Sequence, residues 1–244
     1  MNNLSIKNKT AILFDSGKVL NGPTTGHWFI IPSFFNYVNE DKWRKLSNAQ
    51  LQVAFSKALR YVDAQVLIED RDQEYSHFLE YYKILFDNLK ELNVNIDAIK
   101  SLTYDYVYKA NKYTFFEDAK TIIPKLHHYY KLAIVSDAWP SLENVYIEAD
   151  LRAYFSSFVI SSQIGITKPH PLMYQTALKD LGIQPEEAIF IDDNIGNCEG
   201  AIELGIDALL LCRDQDVYLD YKQSGKVNAI QTLNELEEIL LKNI

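Results

Sequence analysis

The chain has 244 residues, 48% of them hydrophobic, enough to bury a sizeable core as one domain or as one domain carrying an insertion. A formal net charge of −9 with no basic stripe argues against a nucleic-acid-binding surface, although a metal and one or two lysines can reverse the field locally for an anionic substrate. No apolar stretch approaches the ~20 residues of a membrane span, so no membrane partner is expected. Residues 1–10 are polar and lack the apolar segment of a secretory leader. The two cysteines, Cys198 and Cys212, form no CxxC pair and fit a reducing compartment as buried structural thiols. A cytoplasmic location is expected.

The first element is the apolar run 11–14, read as a buried parallel strand, which ends on Asp15 and continues as Ser16-Gly17-Lys18-Val19-Leu20. From about residue 22 to residue 108 the periodicity becomes helical. Leu51, Phe55, Ala58, Leu59 and Val62 share a face behind a cap at Ser47 or Asn48. Phe78, Tyr82, Leu85, Phe86 and Leu89 repeat the pattern, as do Ile96, Ile99, Leu102 and Tyr106. These residues predict a small aromatic-rich helical bundle inserted after the first strand, attached through short connections near 21–26 and 113–117. Its aromatics are read first as bundle core. Trp28, Phe29, Phe34, Phe35 and Tyr37 could equally line a ligand pocket. Pro124 interrupts the next helical pattern, 118–130, so that helix is expected to start only near Thr121.

From residue 130 strands and helices alternate, the pattern of βαβ units. Strands are expected at 132–135, more weakly at 158–161, then at 188–191 and 208–211, and helices at 142–151, 171–181, 194–204 and 230–241. The fold class is therefore α/β, a doubly wound parallel sheet with an inserted all-helical domain: 1–21 and 109–244 for the sheet domain, 22–108 for the insert.

Three of the four strong strands end in a reactive group. The first ends in Asp15, the second in Ser136-Asp137, and the third in Asp192-Asp193-Asn194, with Asn197 four residues beyond Asp193. In a parallel sheet these tips share the edge where ligands of α/β proteins bind. The loop Gly165-Ile166-Thr167-Lys168-Pro169 can bring a lysine to the same edge. Singly, Ser136 reads as a helix cap, Lys168 as a solvated lysine and the acidic pair as a helix start. Two adjacent acids at the mouth of a buried strand nevertheless repel unless a cation sits nearby.

This order of motifs resembles the haloacid dehalogenase-like (HAD) hydrolase superfamily over nearly the whole chain, from Ala11 to about Leu211. The helical insert is similar in position to the cap of members that carry one after the first motif, and the sheet domain to the family's Rossmann-like core. The resemblance implies a phosphatase-type enzyme acting on a small phosphorylated metabolite with Mg²⁺. Asp15 would attack phosphorus to give an aspartyl-phosphate that water hydrolyses. Ser136 would bind a phosphoryl oxygen, with Asp137 beside it, and Lys168 would neutralise nucleophile and phosphoryl group together. Asp15, Asp193, Asp192 and the backbone carbonyl of Gly17 would hold the metal, with Asn197 acting through a water or a hydrogen bond.

One position departs from the family pattern. Phosphatases of the superfamily commonly read Asp-x-Asp-Gly, and the second aspartate handles the proton. Here that position is Gly17, followed by Lys18. The carbonyl needed by a metal survives, whereas the acid–base group, typically worth ~10²–10⁴-fold, does not. Three outcomes stay open: a preference for good leaving groups such as anomeric sugar phosphates, proton transfer by Lys18 or His27, or a non-catalytic module that binds a phosphorylated ligand. A haloacid dehalogenase also lacks the second aspartate, but it has no use for a metal, and Asp192-Asp193 disfavours that alternative. The oligomeric state is not legible.

Overall fold

A computed structural model describes residues 8–224 and 228–241. In chain order the elements are β1 (Ala11–Phe14), β2 (Asn21–Pro23), α1 (Glu40–Trp43), α2 (Asn48–Asp63), α3 (Arg71–Asp87), α4 (Ile96–Tyr108), β3 (Tyr113–Phe115) and α5 (Glu117–His127). There follow β4 (Lys131–Ser136), α6 (Ser141–Glu148), β5 (Phe155–Ile160), α7 (Ser161–Ile164), α8 (Pro171–Leu181), β6 (Ala188–Asp192), α9 (Ile195–Glu203), β7 (Asp207–Leu211), α10 (Gln215–Ser224), β8 (Asn228–Ile230) and α11 (Leu233–Leu241). They fall into two compact units. One comprises the described residues of Met1–Gly22, Phe115–Ala138 and Tyr146–Ile244, and the other Pro23–Thr114 with Trp139–Val145.

The first unit is built on a six-stranded sheet of order β5-β4-β1-β6-β7-β8, all pairs parallel. Every residue of β1 is buried, and alternation divides them between two faces. Ala11 and Leu13 pack with Ala133, Phe190, Tyr174 and Cys198 in a core closed by α8 and α9. Ile12 and Phe14 therefore face the opposite layer, where α5 lies on β4 and against α11. The chain leaves β1 towards β4 on one side and meets β6 on the other, which makes the carboxyl end of β1 the crevice of the sheet.

Several boundaries differ from the sequence expectation, each for a local reason. Helix α5 begins at Glu117, ahead of Thr121, and contains Pro124. An interior proline costs about 3 kcal/mol. Burial of Ile122, Ile123 and Leu126 offsets it at roughly 1.5–3 kcal/mol per side chain. Helix α6 ends at Glu148 because Asp150 turns left-handed (φ 57°), letting the Leu151 N–H donate back to the Tyr146 carbonyl at 2.9 Å. The start expected for the last helix, Ile230, belongs instead to β8, paired with Leu211. Helix α11 opens only at Leu233, where Glu235 accepts the N–H groups of Gln231 (3.0 Å) and Thr232 (3.3 Å).

The second unit is helical. Ser47 caps α2 through a capping box with Gln50, Asp70 caps α3, and Asn95 caps α4. Phe78, Tyr81, Tyr82, Leu85, Leu102 and Tyr106 are buried at its centre, with the Phe78 and Tyr106 rings 4.4 Å apart. Phe29 and Phe34 belong to this core, Trp28, Tyr37 and Trp139 pack against it, and Phe35 is exposed. The unit also seals in three polar residues. Lys112 Nζ donates to Ser141 Oγ (2.6 Å), and Ser141 donates to Glu74 through Oγ (2.5 Å) and its backbone N–H (2.7 Å). Lys112 Nζ lies 4.4 Å from the Tyr106 ring centroid. Among the described residues no helix is long and apolar enough to cross a membrane.

Candidate active site

Three neighbouring strands deliver the polar groups. Asp15 follows β1, with its backbone N–H donating to the Ile191 carbonyl of β6 at 2.9 Å. Ser136 is the last residue of β4 and Asp192 the last residue of β6. All three are buried, at 8%, 3% and 0% exposure, so their polar groups sit where water screens little. Lys168 reaches them from the segment between α7 and α8. Its Nζ is 2.7 Å from Asp15 Oδ1 and 2.7 Å from Asp192 Oδ2. Burial disfavours the lysine's charge, but Asp15, Asp192 and Asp137 together hold its pKa above the ordinary value.

For Asp192 the surroundings disfavour the charged form instead. Burial first, then the Asp15 charge, raises its pKa despite Lys168. Its oxygens are well occupied: Oδ1 accepts the Asn194 N–H (2.7 Å), and Oδ2 accepts Asn197 Nδ2 (3.0 Å) besides Lys168. Asp137 accepts the backbone N–H of Lys168 at 2.9 Å and so fixes the segment carrying the lysine. Burial raises the Asp137 pKa as well.

Asp193 lies beside this group, one-quarter exposed, with its Oδ2 3.2 Å from Lys18 Nζ. One carboxylate oxygen from each of Asp15, Asp192 and Asp193 comes within 4.8 Å of the others. Hard oxygen donors converging this closely fit a small dication. Because Lys168, Asn194 and Asn197 engage Asp192, the freer donors are Asp15 and Asp193. Gly17 sits in the turn after Asp15, in bridge register with Asn21. His27 belongs to the other unit, where its Nδ1 accepts the Phe29 N–H (3.2 Å) and its ring packs on Phe55.

Three supports of this site escaped sequence reasoning. Ser16 shares a 2.8 Å hydrogen bond with the Tyr146 hydroxyl and accepts from Asn21 Nδ2 at 2.7 Å, which braces the residue next to Asp15. Arg213, just after β7, donates to the Lys18 carbonyl (3.0 Å) and the Val19 carbonyl (2.7 Å) while forking onto Asp118. Gly200 lets α9 approach the Lys168 segment, since a Cβ there would fall 2.6 Å from the Pro169 side chain. Apart from Asn21, each partner lies far away in sequence, and no local pattern announces it.

Comparison with known proteins gives the class. A family model described as haloacid dehalogenase-like hydrolase matches residues 29–211. The chain belongs to that family, and it is a hydrolase of the family's α/β fold. A glyceraldehyde 3-phosphate phosphatase from Methanocaldococcus jannaschii is 22% identical over 86% of this chain and 92% of its own length. L-2-haloacid dehalogenase from Xanthobacter autotrophicus, solved with chloropropionic acid covalently bound, matches with a TM-score of 0.62 at 18% identity, covering 95% of this chain and 98% of that one. A HAD-type hydrolase from Bacillus subtilis, solved bound to magnesium, matches with a TM-score of 0.63 at 18% identity, covering 96% of this chain and 99% of that one.

Proposed function

We propose that this chain is a magnesium-dependent phosphatase of small phosphate monoesters that works through an aspartyl-phosphate on Asp15. The observation that carries the reading is Lys168 Nζ, held at 2.7 Å from both Asp15 and Asp192. A buried ammonium there lets an anionic carboxylate approach an anionic phosphoryl group. An Asp15 oxygen attacks phosphorus, the bond from phosphorus to the leaving oxygen breaks, and that oxygen leaves as an alcohol once protonated. Water then attacks the aspartyl-phosphate, releasing inorganic phosphate and restoring Asp15. Ser136 binds a phosphoryl oxygen at the end of β4, with Asp137 holding the Lys168 segment in register. Asp15, Asp193 and the Gly17 carbonyl are the residues that would hold Mg²⁺, with Asp192 at its side. The ion would supply positive charge against the phosphoryl oxygens. The magnesium-bound relative and the converging carboxylates support this choice of metal.

With Gly17 in the acid–base position, the reading favours leaving groups that need little protonation, anomeric sugar phosphates or acyl phosphates. The helical unit, most of it spliced between β1 and β4 in the chain, would act as the cap that selects the substrate. The acidic pair Asp192-Asp193 favours this over the dehalogenase reading. A screen of sugar, acyl and aryl phosphates with and without Mg²⁺ tests it, with Asp15→Asn as control. Turnover that requires both Mg²⁺ and Asp15 is expected. Ligand binding with no turnover on any substrate would favour the non-catalytic module, and metal-independent halide release from a 2-haloacid the dehalogenase.

A further inference from the structure

The three carboxylates Asp15, Asp192 and Asp193 are balanced by two ammonium groups of opposite character. Lys168 is almost wholly buried, wedged between Asp15 and Asp192, and cannot leave without exposing both. The side chain of Lys18 is two-thirds exposed and touches only the most accessible of the three acids, Asp193, at 3.2 Å. Its backbone, by contrast, is fixed. Lys18 sits in the left-handed region at φ 60°, a conformation that costs an L-residue roughly 1–2 kcal/mol. Its N–H donates to the Asn21 carbonyl at 2.6 Å, and its own carbonyl is held by Arg213. The chain keeps this lysine under strain and clamps it there. The ammonium can therefore move only by rotation of its side chain.

We infer that Lys18 is a removable counter-ion that occupies Asp193 until a divalent cation displaces it, and that it thereby sets the metal affinity of the site. The inference rests on the reading of Asp193 as a metal ligand. An ion pair this exposed is weak, so a dication can break it reversibly. Its positive charge still opposes the incoming cation, and removing it should tighten binding. Lys18→Gln keeps the backbone strain and a polar side chain, one atom shorter, but removes the charge, whereas Lys18→Arg keeps the charge.

Titration calorimetry of the full chain with magnesium chloride reads the affinity directly, without turnover. We expect Lys18→Gln to lower the Mg²⁺ Kd by about two- to fivefold, the size of a partly exposed charge contact. Lys18→Arg should stay near wild type, and the gain should shrink at high ionic strength. Binding to Lys18→Gln that is unchanged or weaker, in a protein whose circular dichroism matches wild type, would overturn the inference. Asp193→Asn separates the two levels of the argument. Loss of Mg²⁺ binding in that variant upholds the metal reading whichever way Lys18 behaves. Undiminished binding removes both the metal reading and the inference built on it.

Discussion

Two lysines are buried to the same degree in the two units of this protein, and their surroundings give them opposite chemistry. Lys168 meets Asp15 and Asp192 directly and has Asp137 nearby, so three carboxylates outweigh the cost of burying its charge. Lys112 has one carboxylate, Glu74, whose nearest oxygen is 3.9 Å away behind the Ser141 hydroxyl. There burial wins, and the Lys112 pKa falls to about 8. Burial raises the pKa of Glu74 as well. The first cluster stands at the ends of strands where a ligand can approach, and the second is closed in by Tyr106, Tyr113 and the helices. Burial alone thus does not decide the charge of a lysine; the number of acids that meet it does.

That contrast can be broken by experiment. The largest expected effect is on the sealed cluster: Glu74→Ala leaves Ser141 without its acceptor and Lys112 without its counter-ion, and should cost about 3–5 kcal/mol of stability. A Glu74→Leu/Lys112→Met double variant, which removes both polar partners, should recover most of the loss in denaturant unfolding. A double variant as unstable as Glu74→Ala would show that this cluster does more than satisfy itself. Next in size, Lys168→Met should reduce turnover by about 10²–10³-fold, the range seen when one preorganised electrostatic contact is removed. Steady-state kinetics on the best substrate of the screen would check this, and turnover within a few-fold of wild type would remove Lys168 from the chemistry.

The smallest effect is one of pH. Lys112 titrates near 8 when folded and near its ordinary value of about 10.4 when unfolded. Between those values the unfolded chain holds a proton that the native chain has released, so the contribution of Lys112 to stability should rise with pH across that interval. At higher pH the trend reverses. Buried tyrosines such as Tyr82 and Tyr106, whose pKa values burial raises, keep protons that the unfolded chain loses. Melting temperature against pH for wild type and Lys112→Met should differ by a slope confined to that interval. Parallel profiles would contradict the depressed pKa.

The sheet was legible because β1, β4, β6 and β7 are continuous apolar runs, and the candidate site residues stand at the ends of β1, β4 and β6. Asp15, Ser136, Lys168 and Asp192-Asp193 could be read from order and strand context. The helical unit announced itself by periodicity, down to Ser47 as the cap of α2. Strand β8 could not be read, since three residues pair only because β7 is already in place. Glu74, Lys112 and Ser141 were equally hidden: they lie in three separate segments, and each alone looks like a surface residue. Arg213 and Tyr146 brace the turn after Asp15 through backbone carbonyls and Ser16, contacts for which sequence has no code. Lys18 was visible as a departure from the family pattern, but its contact with Asp193 was not.

The central claim is covalent attack by Asp15, and the most direct test is to catch the product. With no acid–base residue at position 17 to activate water, breakdown of the aspartyl-phosphate should be slow enough for the adduct to accumulate. Acid quenching after mixing with an acyl phosphate and Mg²⁺, followed by mass mapping, should find one phosphoryl group on the peptide containing Asp15. Asp15→Asn should show none. Phosphate release with no adduct in wild type, or an adduct on another residue that survives Asp15→Asn, would contradict the account.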